Sequence, residues 1–236
     1  APTSSIAHTN PPSKTLAPKN PYRPFEPNPE MVSCIPDITG NEINGVGEDK
    51  ERRPSMVYWA PDPDDIAFGE VQKWFYRREP PDPELMKERV RRKEILEAPM
   101  ADLAEDAVER SPGEWTAGLD QFIEAGDCER VGVAKLRPEW VFDHHETSFE
   151  NVIVLGVQHD YEFLKEVPNL VGGAEVTRQY GRAAFVAKKV ANWLREQGWD
   201  AEPVTGPMVG KILMIPPALE CGFGELGKHG SLINPE

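Results

Sequence analysis

Asn151-Val152-Ile153-Val154-Leu155-Gly156-Val157-Gln158 and the run from Ala174 to Gln197 together decide the fold class. The first stretch is almost wholly apolar and β-branched, the pattern of a strand buried on both faces. In the second, Val176, Tyr180, Ala183, Ala187, Val190, Ala191 and Leu194 recur at helical steps and form one apolar stripe. Arg178, Arg182, Lys188, Lys189 and Glu196 point elsewhere, and Gly198 supplies the stop. Tyr180 is thereby expected on the inward face, near the start of the helix. A buried strand followed by a long amphipathic helix makes the class α+β.

Upstream, Val131 to Leu136 reads as a partner strand, with His144-His145 in the polar connection between the two. Trp115, Leu119, Phe122 and Ile123 predict a helix over Gly113 to Ala125. Pro83 to Glu97 predicts another, with Asp82 as N-cap and Pro83 at the first helical position. Phe68, Val71, Trp74 and Phe75 carry helical spacing within Ile66 to Arg77. Downstream, Asp200 to Val204 is expected to form a short strand, and the apolar run Ile212 to Ile215 to close at Pro216-Pro217.

Residues 1–55 are rich in proline, asparagine, serine and charge. Prolines remove backbone donors and fix φ, so this part is expected to be an extended or disordered arm that Tyr22, Phe25 and Met31 can anchor. Residues 56–236 form the expected domain.

A formal net charge of -14 over 236 residues excludes nucleic acid as a general partner, because phosphate binding needs a cationic surface. No apolar run is long enough to span a bilayer. Three widely spaced cysteines, Cys34, Cys128 and Cys221, are unlike a disulfide framework, and with no export signal legible they point to the cytoplasm. They also fall short of the four thiolates that hold a [4Fe-4S] cluster. His144, His145 and His159 lack metal-site spacing. Trp59, Trp74, Phe75 and Tyr76 read as core or as the lining of an aromatic pocket.

The C-terminal run is Gly222-Phe223-Gly224-Glu225-Leu226-Gly227-Lys228-His229-Gly230-Ser231-Leu232-Ile233-Asn234-Pro235-Glu236. Glycines at this density let a backbone fold tightly and approach a large ligand closely. Such a run is more often a structural loop than a cofactor cradle, and it carries neither a dinucleotide fingerprint nor a Walker A lysine.

From Gly224 to Glu236 the run resembles a segment of corrinoid-dependent reductive dehalogenases. Epoxyqueuosine reductases have a related form, with tryptophan and isoleucine in place of Glu225 and Leu226. Asn151 to Tyr161 is similar to the family's strand ending in Asp-Tyr. The helix from Tyr180, with Ala191-Asn192-Trp193-Leu194 and the turn Gly198-Trp199-Asp200-Ala201, is similar to another family segment. The resemblance spans about residues 150–236.

It implies a nitroreductase-like fold holding cobalamin, cobalt(I) chemistry on a halogenated substrate, and a tyrosine, here Tyr180, as proton donor. The cofactor would lie against Gly222, Gly224, Glu225, Leu226, Gly227, Lys228, His229, Gly230, Ser231 and Leu232. Lys211, set in apolar sequence, resembles the lysine of the branch acting on halogenated phenols and hydroxybenzoates. Close to Tyr180, it would favour the phenolate and pair with a phenolic substrate. Thr205-Gly206-Pro207 stands where respiratory members have Gly-Asn-Asp. The family's further arginine and the cysteines of its two [4Fe-4S] clusters lie beyond Glu236. The resemblance therefore predicts a piece of a longer polypeptide, and a protein or module elsewhere that donates electrons. Two other readings stay open: a cofactor-carrying or interaction module without turnover, and a corrinoid reductase of the epoxyqueuosine type.

Overall fold

The computed structural model describes residues 26–78, 82–167, 169–206 and 210–234. In chain order these form α1 (Pro29–Val32), α2 (Gly40–Ile43), α3 (Gly69–Arg78), α4 (Pro83–Glu97), α5 (Pro112–Glu124), β1 (Arg130–Lys135), β2 (Asn151–Gly156), α6 (Tyr161–Leu164), α7 (Leu170–Glu196), α8 (Ile215–Glu220), β3 (Glu225–Leu226) and β4 (Leu232–Ile233). The architecture mixes helix and sheet. Its sheet consists of two antiparallel ribbons, β1 with β2 and β3 with β4.

Local chemistry sets most of the helix starts. Asp82 caps α4 by accepting the Leu85 amide, with Pro83 at the first position. Ser111 and Glu114 close a reciprocal capping box on α5. Thr39 and Glu42 do the same for α2. The expected arm is therefore locally helical in its described part, 26–55. Tyr22 and Phe25, its expected anchors, lie outside the described residues. Asn44 Oδ1 accepts from the Ser55 amide and Arg53 donates to the His145 carbonyl, so this part is tied to the body of the protein.

In the β1–β2 ribbon Val131 pairs with Leu155, Val133 with Ile153, and Gly132 with Val154. Alternation gives the ribbon two different faces. Val131, Ile153 and Leu155 pack on the core of Leu119, Phe122, Cys128, Val186 and Val190, contributed mainly by α5 and α7. The opposite face carries Gly132 and Gly156, and there the ribbon meets Cys221 and Phe223. A β-carbon at Gly132 would lie 2.7 Å from Cys221 Cβ, and one at Gly156 would lie 3.2 Å from Phe223. Strand β2 is thus covered on both sides, although none of its residues is fully buried.

Helices α4 and α7 run in the same direction: Glu88 meets Arg178, Arg92 lies over Gly181, and Ile95 meets Lys188. Residues 98–111 then wrap the end of α7. Asn192 Oδ1 accepts from Ala101, the Ala104 amide donates to Arg195, and the Trp199 indole donates to the Val108 carbonyl.

Four expectations are corrected here. Helix α7 begins at Leu170, capped by Asn169 Oδ1, which accepts from Val171 and Gly172. Its inward face is centred on Val186 and Val190, so Tyr180 is not on it and remains 44% exposed. Residues 200–204 form no strand. Pro216 and Pro217 open α8 rather than close the apolar run from Ile212, because a proline in the first helical turn forfeits no intrahelical hydrogen bond. Ile212 makes a single antiparallel bridge to Val141.

Lys188, expected off the apolar stripe, is nevertheless buried, donating to the carbonyls of Ile95 and Leu96 at 3.0 Å and to that of Ala98. It satisfies the unpaired carbonyls at the C-terminal end of α4, where the helix dipole favours a cation. Lys188→Met leaves those acceptors without a donor. It is expected to lower stability by about 2 kcal/mol, seen as a lower urea midpoint with an unchanged slope.

Candidate functional site

The expected cofactor-facing residues all fall on one small device, the β3–β4 hairpin and its hinge; Pro235 and Glu236 lie outside the described residues. Glu225 pairs with Ile233 and Leu226 with Leu232. The Gly227 amide donates to the Ser231 carbonyl, and the Gly230 amide to that of Gly227, each at 2.9 Å. His229 belongs to the turn: its Nδ1 accepts from the Ser231 amide at 3.1 Å, and its ring lies over buried Gly227. Two glycines are required by geometry. Gly230 has φ +80° in the turn. A β-carbon at Gly224 would run into the Ile233 carbonyl. Gly224→Ala is therefore expected to open the hairpin, read as faster hydrogen exchange at the Gly227 amide.

Phe223 roots the hairpin. It is buried beneath the Arg130 guanidinium, 5.9 Å from the ring centroid, on the glycine-bearing face of the ribbon. Arg130 also donates to the Gly222 carbonyl at 3.5 Å. Sequence reasoning missed Phe223 as an anchor. The paired signal was a lone aromatic between loop glycines and a glycine in each strand opposite it.

Outside this root the hairpin is open. Leu226 and Ile233 are 58% and 51% exposed, and β-carbons at Gly222 and Gly230 would meet nothing within 4 Å. Lys228 and Ser231 are also exposed. Apolar side chains, free space and a backbone without bulk suit a broad, flat, amphiphilic group such as the edge of a corrin. A corrin holds cobalt in its own ring nitrogens, so the protein need not supply a ligand cluster. Among the described residues no group of three His, Cys, Asp or Glu could hold a metal ion. A [4Fe-4S] cluster does not fit the three thiols. Cys128 sits in the α5–α7 core and Cys221 on the opposite face of the ribbon. Burial pushes both of those thiols up, as expected of packing residues rather than reactive ones.

Tyr180 stands on α7 with no hydrogen-bond partner for its hydroxyl among the described residues. The cation beside its ring is Arg92, whose guanidinium carbon lies 5.8 Å from the centroid. Lys211 does not meet Tyr180. Its Nζ pairs with Glu202 at 2.8 Å, and its backbone carbonyl accepts from the Phe142 amide. No hydrogen bond or ring contact joins Tyr180 to the hairpin either. Helix α7 and the hairpin root pack on opposite faces of the ribbon. Pro207 and Val209, neighbours of Lys211 in the sequence reading, lie outside the described residues. An open groove of about 680 Å³ between α4 and α7 is lined by Arg91, Ile95, Arg182, Phe185 and Lys189 among others. It contains neither Tyr180 nor the hairpin.

The Asp160-Tyr161 pair ends the β2 segment at a charged knot. The Asp160 amide donates to Glu175, whose carboxylate is 1% exposed and also accepts from Gln179 and Arg178. Arg178 continues to buried Glu88 at 3.1 Å. His159 lies 4.0 Å from Glu175, and His144 is a turn residue with φ +66°.

No family model matches the chain. Over 115 residues it is 35% identical to the tetrachloroethene reductive dehalogenase of Dehalobacter restrictus. It is 34% identical over the same length to the tetrachloroethene reductive dehalogenase of Desulfitobacterium hafniense. The chain is similar to reductive dehalogenases. The aligned part is 49% of this chain and 20% of each relative, so the chain spans about one fifth of the reductive dehalogenases it matches. No helix among the described residues is long and apolar enough to cross a membrane.

Proposed function

We propose that this chain supplies the corrinoid-facing and proton-donating part of a reductive dehalogenase acting on halogenated aromatic compounds of phenolic type. The observation that carries the reading is the 35% identity to reductive dehalogenases over about half the chain. The open, glycine-hinged hairpin supports it, and a nitroreductase-like frame is part of the same proposal. The net reaction takes the organic halide, two electrons and one proton to the hydrogenated product and a halide ion. A corrinoid, when bound, would supply low-valent cobalt as the source of electrons at the substrate. The hairpin would hold its edge through Leu226, Ile233 and the backbone from Gly222 to Gly230. The resemblance gives the proton-donating role to Tyr180, whose unpartnered hydroxyl leaves its proton available, although among the described residues its ring makes no contact with the hairpin.

The relatives are named for tetrachloroethene. The phenolic preference proposed here rests on Lys211. Its ion pair with Glu202 is 40% and 45% exposed, and such surface pairs contribute at most about 1 kcal/mol, so the ammonium is free to turn to a phenolate. Electrons come from a donor protein or a module outside these 236 residues, whose three cysteines cannot house a cluster.

The test is titration of the folded chain with hydroxocobalamin, followed by visible spectroscopy. Halide release is then measured with titanium(III) citrate and either a bromophenol or tetrachloroethene. Binding with faster release from the bromophenol is expected. A folded chain that leaves the cobalamin spectrum unchanged would sink the proposal. A second reading, a cofactor-carrying module without turnover, predicts binding and no halide with either substrate.

A further inference from the structure

We infer that Arg92 is the positioning residue of Tyr180, holding the phenol ring against the segment of Glu202 and Thr205 in one arrangement. This rests on the reading of Tyr180 as the proton donor. The Tyr180 ring is 44% exposed on α7, and its hydroxyl has no partner among the described residues. A side chain so placed has free torsions about both bonds unless something grips the ring. Arg92 is the group that does so.

The arginine comes from α4, and its stem lies over Gly181, the residue after the tyrosine. A β-carbon there would sit 3.7 Å from Arg92 Cβ, so α4 and α7 approach closely at this point. From the stem the guanidinium extends to the Tyr180 ring, with its central carbon 5.8 Å from the centroid. That is within reach of a cation–π interaction. One terminal nitrogen donates to the Thr205 carbonyl at 3.5 Å. Nε is buried and has no acceptor. An unsatisfied donor in a charged group is costly, so packing holds this head where it is rather than an optimal hydrogen bond.

Thr205 lies three residues after Glu202, the partner of Lys211. Arg92 therefore touches both the ring expected to donate the proton and the segment that carries the acidic partner of the lysine. Among the described residues, Lys211, expected to be the cation beside the tyrosine, is joined to it through this indirect link. Lysine in place of Arg92 keeps a charge near the ring and lacks the planar fork that reaches two partners at once.

The experiment labels the chain with 3-fluorotyrosine and assigns the Tyr180 fluorine resonance by its loss in Tyr180→Phe. Without cobalamin, Arg92→Met is expected to shift that resonance, and Arg92→Lys to restore it in part. With cobalamin and reductant, Arg92→Met is expected to lower kcat for halide release about ten-fold with KM little changed, and Arg92→Lys to recover most of the loss. Circular dichroism reports folding, and Arg92→Gln replaces Arg92→Met should the latter unfold. An unmoved fluorine resonance in a folded Arg92→Met or Arg92→Gln chain overturns the inference. A shifted resonance in a chain that releases no halide even when unaltered leaves the positioning contact standing and removes the dehalogenase reading instead.

Discussion

Tyr180→Phe is expected to lower halide release by at least about a hundredfold while leaving the cobalamin-bound spectrum unchanged, because a positioned general acid contributes 10²–10⁴ in rate. The substitution removes one oxygen and one proton from a ring that is 44% exposed and supports no core contact. Its hydroxyl makes no hydrogen bond among the described residues, so folding loses nothing measurable with it. Stability and activity should therefore separate cleanly: an unchanged urea midpoint beside a collapsed rate. Comparing solvent deuterium incorporation sharpens the test. If product from the variant still forms at the original rate with deuterium at the dehalogenated carbon, water is the donor and Tyr180 has no part in the chemistry.

Glu175→Ala is expected to be the most damaging single change to the fold, lowering stability by about 3 kcal/mol. Glu175 accepts from the Asp160 amide at 2.8 Å, from Gln179 at 2.8 Å and from Arg178 at 2.9 Å, all around a carboxylate that is 1% exposed. Removing it strands a backbone donor, an amide and part of a guanidinium that Glu88 and Glu84 then balance. For a domain of this size the loss corresponds to a melting temperature lower by roughly 6–12 °C. Glu175→Gln keeps the shape and loses the charge, and should fall between.

The same carboxylate ties stability to pH. Desolvation acts to raise its pKa, but the Asp160 amide, Gln179 and Arg178 together outweigh burial and hold it below the usual value of 4.5. A group lowered in the folded state contributes stability that is present above its unfolded value and lost as pH falls through the folded one. Unfolding curves should accordingly weaken on acidification below about pH 4.5. In Glu175→Gln that part of the acid dependence should vanish.

Several elements were legible because their signals are local. The Asp82-Pro83 start of α4 and the Trp115–Phe122 periodicity of α5 need no information from elsewhere in the chain. The ribbon was legible as two apolar runs. Its two-sidedness was not, because Phe223 is some seventy to ninety residues away from the glycines it covers. The start of α7 was misread because Gly172-Gly173 looks like a break. Asn169 outweighs it by capping two amides at once. The phase of α7 was misread for a related reason. Its stripe holds more apolar residues than one neighbour can cover, and the neighbour that decided the matter, the α5–ribbon core, selected Val186 and Val190. The burial of Lys188 was not legible, because its three acceptors belong to the far end of another helix. At the candidate site the glycine spacing singled out the loop residues, but the pairing of Glu225-Leu226 with Leu232-Ile233 across it was not read. The pairing of Tyr180 with Lys211 was not reached in the structure, and Arg92, hidden among the charges of α4, carried no distinguishing mark in the sequence.

The unlike faces of the β1–β2 ribbon make the protein sensitive to frame. One residue gained within either strand would rotate every later side chain through half a turn. Ile153 and Leu155 would then be driven beneath Phe223, while glycine would face the space that Val186 and Val190 now fill. Length changes between Leu136 and Glu150 spare that arrangement, since the strands re-form on either side of them. Natural variation in size should collect in this connection, and the strands themselves should hold their count.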